Sequence, residues 1–514
     1  MSLGTTASVA LTGLEGRLVE VEAHVSNALP GLTVSGLPDA ACRQAPDRVR
    51  AASESAGQPL PSRKILVNLS PANVPKSGTG FDLGIAVAIL VAGGVLPQAV
   101  CRGVVHIGEL GLDGTVRGVP GVLPSVLAAA AVGISDVVVP AANAAEARLV
   151  DGVRVHGVRA LSEVVENYRA RGAPQRWAAD AGEPGVVTEP PVVPDLADVA
   201  GQAQARAALE LAAAGGHHLL LTGPPGSGKT MLAERIVGIL PPLTSAQAMT
   251  VLAIRSLLGG AAEVRGLDLT PPFVAPHHGA SLAAMVGGGS GLGRPGAVSA
   301  AHHGVLFLDE APEFRREVLD SLRQPVESGV VTIARAKATV TYPARFQLVL
   351  AANPCPCGHG HGKGLRCTCT PLQRRAYASR LSGPLVDRVD VQVHVPAVAR
   401  AALSPSPAES SAVVAARVAQ ARAAAADRWA GAGADWAQNA QVPGPVLRAG
   451  RWRLAPSVTA DLDRALERGL LSLRGYDRAL RVAWTRADLA GRISPDTEDV
   501  GLAMLFRGTA AEAA

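Results

Sequence analysis

Eight residues, Gly223-Pro224-Pro225-Gly226-Ser227-Gly228-Lys229-Thr230, fit the pattern G-x-x-x-x-G-K-[ST]. Small residues let backbone N–H groups close around phosphate oxygens, and a helix N-terminus adds positive potential there. Lys229 offers a point charge to the outer phosphates and Thr230 a hydroxyl to Mg²⁺. An apolar run, His217 to Thr222, precedes the loop, and a helical pattern, Met231 to Leu240, follows it. A second apolar run, Gly304 to Leu308, ends in Asp309-Glu310. There Asp309 suits a metal's water shell, and Glu310 suits orientation or deprotonation of an attacking water. A third run, Gln347 to Ala352, ends in Asn353, suited to hold that water or a γ-phosphate. Further on, Leu385 to Val395 reads as a strand by its alternation, with Arg388 near its start. Such an arginine can stabilise transition-state charge, also across a subunit boundary; on spacing alone, pairing with Asp387 or Asp390 is the preferred reading.

Between Cys355 and Cys369 the chain gathers four thiols, Cys355, Cys357, Cys367 and Cys369, with His359 and His361. Two C-x-C pairs nine residues apart can close a tetrahedral Zn²⁺ site. Four thiolates, a thiolate–imidazole mixture and reduced thiols all satisfy the spacing, and the four-cysteine set is favoured. The loop starts two residues after Asn353 and ends shortly before Arg374, Arg375, Arg380 and Arg388, so a metal there would brace the edge that carries these residues. The pairs His277-His278 and His302-His303 sit among small residues, where packing or loop hydrogen bonding is favoured over a metal.

The elements that must carry these groups fall into blocks. Residues 1–170 mix short strand-like runs, Lys64 to Asn68 and Asp136 to Val139, with Ala/Leu helical stretches. Residues 171–195 hold five prolines without apolar periodicity and read as a linker. Residues 196–396 form the block with the phosphate loop. Residues 397–514 are Ala/Arg/Leu-rich and helical, with a last helix expected to start at the N-cap Ser494 and first-turn Pro495.

Composition narrows the class. The 514 residues are 48% hydrophobic and 18% charged, which is globular and not disordered. A net charge of +5 permits a nucleic-acid partner without requiring one. The longest apolar run, Leu83 to Leu96, falls short of the ~20 residues a spanning helix needs. The first basic residue is Arg17, so no signal peptide is read, and the expected location is cytoplasmic.

The strings AGQAQARAALELAAAGGHHLLLTGPPGSGKTMLAERI, APHHGASLAAMVGGG, RPGAVSAAHHGVLFLDEAPEF, LRQPVESGVVTIARA, LAANPCPCG and LSGPLVDRVDV resemble, in order, the magnesium-chelatase-type AAA+ ATPases of the ComM/YifB-like branch. The resemblance extends over nearly the whole chain. It implies that Asn353 is the sensor-1 residue and Arg388 the arginine finger. The segment SLRGYDRALRVAWTRADLAG resembles the one carrying sensor 2, with Arg474 preferred and Arg478 second. It also implies a ring, a hexamer by family habit, with ATP between subunits.

The first block, through Lys64 to Leu83 and Ile107 to Pro140, resembles the protease domain of Lon. Matched to that pattern, Gly80 occupies the serine position and the lysine position falls at about Leu123. A nucleophile without its activating amine is a poor hydrolase, so a structural or partner-binding domain is expected. The fold class expected is thus α/β multidomain: a Lon-like α+β domain, a central P-loop α/β domain and a helical lid.

An ATPase core identifies the fuel and not the load. The resemblance implies DNA first, through branch migration of recombination intermediates. A chelatase-type motor and a protein-remodelling role are the alternatives. For DNA, the stretch Val330 to Tyr342 reads as a hairpin with Arg335 and Lys337 near its tip, and Val286 to Gly293 as a second mobile loop. Phosphate contact would dominate, because aromatic residues make up only 3% of the chain.

Overall fold

In the computed structural model the described residues are 2–174, 177, 193–259, 266–289, 293–335, 339–360, 366–381, 383–397, 408–433 and 436–507. The apolar runs of the central block are too short for core helices and lack polar alternation, so they form strands covered on both faces. They make one parallel sheet, in the order Phe273–Val274, Val305–Leu308, Gln347–Ala352, Leu219–Thr222, Val391–His394. Leu219 stands opposite both Val349 and Val391, and Leu308 opposite Leu350. That register brings the C-terminal ends of three neighbouring strands to one edge, where ligands of open α/β sheets bind.

One face of this sheet shares a core with the C-terminal helices: Leu219, Leu221, Val305 and Phe307 belong with Val414, Val418, Leu480 and Trp484. The long helices there are Ser411–Ala430, Pro456–Glu467, Leu473–Leu489 and Thr497–Leu505. The other face packs Leu220, Leu306, Leu348 and Leu350 with Phe314, Leu319 and Leu322.

The N-terminal block is a seven-stranded mixed sheet, ordered Gly31–Ser35, Lys64–Ser70, Glu15–Ser26, Ser2–Thr12, Val104–His106, Asp136–Pro140, Arg154–Val158. The apolar run noted in the sequence becomes the helix Asp82–Ala92, buried at every position and packed on this sheet. Among the described residues no helix is long and apolar enough to cross a membrane. The two blocks meet where the N–H of Gly121 donates to the carbonyl of Ser256 (3.1 Å), and where Leu252 and Ala253 pack with Val122, Leu123 and Val126.

Three expectations are refined. The last helix begins at Thr497: Asp496 caps it in a reciprocal box with Asp499, whose two hydrogen bonds satisfy more orphan donors than Ser494 and Pro495 would. Arg388 lies outside the strand Val391–His394, in a turn after the short helix Gly383–Val386. Trp177, within the expected linker, is buried against Tyr168 and His156 of the N-terminal core, while residues 178–192 lie outside the described residues.

Candidate nucleotide-binding site

The strand Leu219–Thr222 runs into the glycine-rich loop, and the helix Lys229–Arg235 leaves it. Gly226 and Gly228 hold φ of +73° and +91°, a region that a side chain disfavours, so the chain can curl there only on glycine. Lys229 is buried and its Nζ donates to the carbonyls of Gly223 (2.8 Å) and Pro224 (2.9 Å) and to Oδ1 of Asn353 (3.0 Å). Burial lowers its pKa, opposed by the fields of Asp309 and Glu310. This ammonium thus has three neutral oxygens as close partners. The Oγ of Ser227, also buried, has no hydrogen-bond partner among the described residues. An unpaired hydroxyl and a buried cation without a close counter-charge fit an anionic phosphate chain.

The Oγ1 of Thr230 donates to Oδ2 of Asp309 at 2.7 Å. The hydroxyl, from the first turn of the helix Lys229–Arg235, and the carboxylate, from the end of the strand Val305–Leu308, present hard oxygen donors at one point, the donor set that Mg²⁺ takes beside phosphate. Glu310 follows in a left-handed conformation (φ +48°, ψ +45°), its N–H bonded to Oδ1 of Asp309 (2.9 Å). For a non-glycine residue this costs about 1–3 kcal/mol, and such strain gathers at functional sites. The Glu310 carboxylate is half exposed, with Nδ1 of His278 4.0 Å from its Oε2. No sequence signal linked these two; the pairing of Phe273–Val274 with Val305–Leu308 brings them together.

The two arginines expected to sense nucleotide stand elsewhere. Arg388 is 12% exposed and pairs with Glu327 at 2.7 Å, while Arg474, 67% exposed, has its Nη1 4.0 Å from the same carboxylate. Asp387 and Asp390 are therefore not the partners of Arg388. Asp390 belongs to Arg478, whose Nη1 donates to it (2.5 Å) and to the carbonyl of Arg388 (2.7 Å). Glu327, which sequence reasoning missed, is the acid shared by Arg388 and Arg474.

The four cysteine sulfurs lie within 4.8 Å of one another. His359 is among the described residues, but His361 is not. The histidine pairs split by role. His277 Nδ1 accepts from Gly279 N–H (3.1 Å), and His302 Nδ1 from Arg345 N–H (3.0 Å), with His302 pushed down to about 3 by burial. These are loop hydrogen bonds, as expected, and His278 is the one facing the acid pair. The hairpin Val330–Ala334 with Thr339–Pro343 is present, but Lys337 lies outside the described residues. The second loop is a short hairpin, Gly287–Gly288 against Arg294–Pro295, with residues 290–292 outside them.

The parallel sheet, the glycine loop and the meeting of Lys229 with Asn353 and of Thr230 with Asp309 make a candidate phosphate-binding site on a fold consistent with the AAA+ type. The chain matches the family described as magnesium chelatase, subunit ChlI, over residues 195–403. Two companion families, subunit ChlI of Mg-chelatase and the ChlI C-terminal region, match over 21–143 and 408–507. An uncharacterized protein of Mycobacterium tuberculosis is 49% identical over 99% of this chain and all of its own length. YifB of Escherichia coli is 42% identical over 95% of this chain and 94% of its own. Competence protein ComM of Haemophilus influenzae is 40% identical over 96% and 94%. The chain therefore belongs to the ComM/YifB-like family of magnesium-chelatase-type AAA+ proteins, and membership implies an ATPase, in a class that is typically oligomeric.

Proposed function

We propose that this chain is an ATP-hydrolysing ring motor, a hexamer acting on DNA in the cytoplasm and driving branch migration of recombination intermediates. The observation that supports the ATPase part most is the meeting of Lys229, Thr230, Asp309, Glu310 and Asn353 at one sheet edge. On nucleotide binding, Lys229 exchanges its carbonyl partners for phosphate oxygens. Thr230 and Asp309 would hold Mg²⁺, which would supply charge neutralisation at the outer phosphate oxygens. Glu310 takes the proton of the attacking water, Asn353 orients that water, and His278 steadies the Glu310 carboxylate. Arg388 serves the ATP of a neighbouring subunit, with Arg474 as the lid's sensor; both lie against Glu327 in this chain.

The DNA load draws support from the competence protein among the relatives and from the hairpin carrying Arg335. A second reading, a chelatase-type motor, is favoured by the three family matches, each described by a magnesium-chelatase subunit. Proteolysis is disfavoured. Leu123, at the position of Lon's lysine, is fully buried, and its N–H donates to Ser256 Oγ of the central block (3.4 Å). Lys76 donates to the carbonyl of Pro71 while Ser77 donates to Asp39, so these neighbours form no dyad. We assign this domain to partner binding or scaffolding.

The test is ATPase rate with and without single-stranded DNA and a four-way junction, on wild type and Glu310→Gln. Stimulation by DNA that the variant abolishes is the expected result. Robust hydrolysis indifferent to DNA would sink the DNA reading and turn attention to tetrapyrrole-pathway proteins.

A further inference from the structure

The segment from Cys355 to Cys369 has no helix or strand among its described residues and little apolar burial beyond Cys355 itself. Yet it places four sulfurs in one cluster. Sγ of Cys355 lies 3.3 Å from that of Cys357 and 3.7 Å from that of Cys367, and Cys357 to Cys367 is also 3.7 Å. A regular tetrahedron around zinc with Zn–S bonds of about 2.3 Å has sulfurs about 3.8 Å apart. A backbone N–H group also points at the cluster, from Gly360 to the Cys355 sulfur (3.1 Å). A neutral thiol is a poor acceptor, whereas a metal-bound thiolate uses such donors to spread its charge.

We propose that Cys355, Cys357, Cys367 and Cys369 bind one Zn²⁺ as a closed four-thiolate structural site that holds the phosphate loop and Asn353 in place. With all four positions filled by protein, the metal has no open site for chemistry. Its role is mechanical, and both ends of the segment lead to the nucleotide site. Two residues before Cys355, Asn353 accepts from Lys229. Inside the loop, Gly358 (φ +77°) lies so close to Pro225 that a methyl group added to it would overlap the proline ring. One residue after Cys369, Thr370 caps the helix Pro371–Ala378, on which Tyr377 is buried. Beyond that helix Arg380 binds Glu313 (3.0 Å) and the carbonyl of Pro312 (3.3 Å), just past Glu310. Closing the thiols on a metal ties these contacts into one rigid edge, at a place where the chain supplies little core of its own.

The bracing part rests on the nucleotide-site reading, whereas the metal site does not. Purified full-length protein is expected to carry one zinc per chain by elemental analysis. Release should require a mercurial thiol reagent, and cobalt-substituted protein should show the sulfur-to-metal charge transfer and intense visible bands of a tetrahedral four-thiolate site. Cys357→Ser with Cys369→Ser, both at partly exposed positions, should lose the metal. A metal-free chain with four reactive thiols, a disulfide-linked chain, or a cobalt spectrum of mixed sulfur–imidazole ligation would each overturn the site. For the brace, zinc-stripped wild type should bind a fluorescent ADP analogue about tenfold more weakly, and added Zn²⁺ should restore the affinity. Unchanged affinity after stripping would overturn the brace. Zinc-loaded protein that binds no nucleotide would remove the nucleotide-site reading and the brace with it, leaving the metal site standing.

Discussion

Glu310 is the residue at which geometry and chemistry are most tightly joined. Its left-handed backbone is held by the short helical turn Ala311–Glu313 and by Asp309, and it swings the carboxylate out beside His278. Glu310→Gln keeps that size and shape but removes the charge and cannot accept a proton. Hydrolysis should therefore fall by about 10²–10⁴-fold, the span of general-base catalysis, while binding of an ADP analogue is retained; equal loss of both would mean the side chain holds nucleotide instead. Lys229→Ala should behave in the opposite way, with binding itself lost. A third residue reports on stability. His106 is buried between Thr6 Oγ1 and the Tyr168 hydroxyl, both at 2.7 Å, and burial together with His156 pushes it from 6.5 down to about 3. Between those values the unfolded chain binds the extra proton, so stability is complete above about 6.5 and drains away as pH falls. From pH 7 to 5 the wild type should lose roughly 2 kcal/mol more than His106→Gln, read from urea midpoints; parallel losses would show that this histidine is not held neutral.

At the scale of elements, the tryptophan cluster decides how firmly the C-terminal helices seat on the sheet. Trp429, on the helix Ser411–Ala430, is fully buried. It packs edge-on or tilted against Trp436, Trp452 and Trp484, and its Nε1 donates to Asn439 (2.9 Å). Trp429→Ala should cost about 3–5 kcal/mol and shift the fluorescence-detected unfolding curve accordingly. A smaller shift would mean that neighbouring rings collapse into the space. Elements also mark what the sequence made legible. The three strand ends were readable because each is a short apolar run stopping at a polar residue, and one of them flows into a glycine pattern that fits a phosphate loop. His278 beside Glu310 was not readable, since it follows from the lateral pairing of two strands and not from any local spacing. Glu327 was invisible for the same reason: one acid among 43, placed by the fold under two arginines. The last helix shows a local conflict, where Ser494-Pro495 met the usual start rule and the stronger two-bond box of Asp496 and Asp499 prevailed.

The whole molecule poses the question of how many chains make one active site. Within a chain, Arg388 is engaged with Glu327 and with the carbonyl of Pro384 (2.6 Å), and its Nε, though buried, finds no acceptor among the described residues. Such a side chain is held near the surface by a partly exposed acid, in position to be transferred to a stronger anion on an adjoining copy. If it acts in trans, two dead proteins can repair each other. Arg388→Ala supplies an intact phosphate loop without a finger, and Lys229→Ala supplies a finger without a usable loop. In a ring assembled at random from equal amounts, about a quarter of the interfaces pair the intact loop with the intact finger. Mixing the two variants should therefore recover a substantial fraction of wild-type hydrolysis, with a bell-shaped dependence on their ratio. Were Arg388 to serve its own chain's nucleotide, no ratio would recover any activity, because every chain would lack one of the two groups.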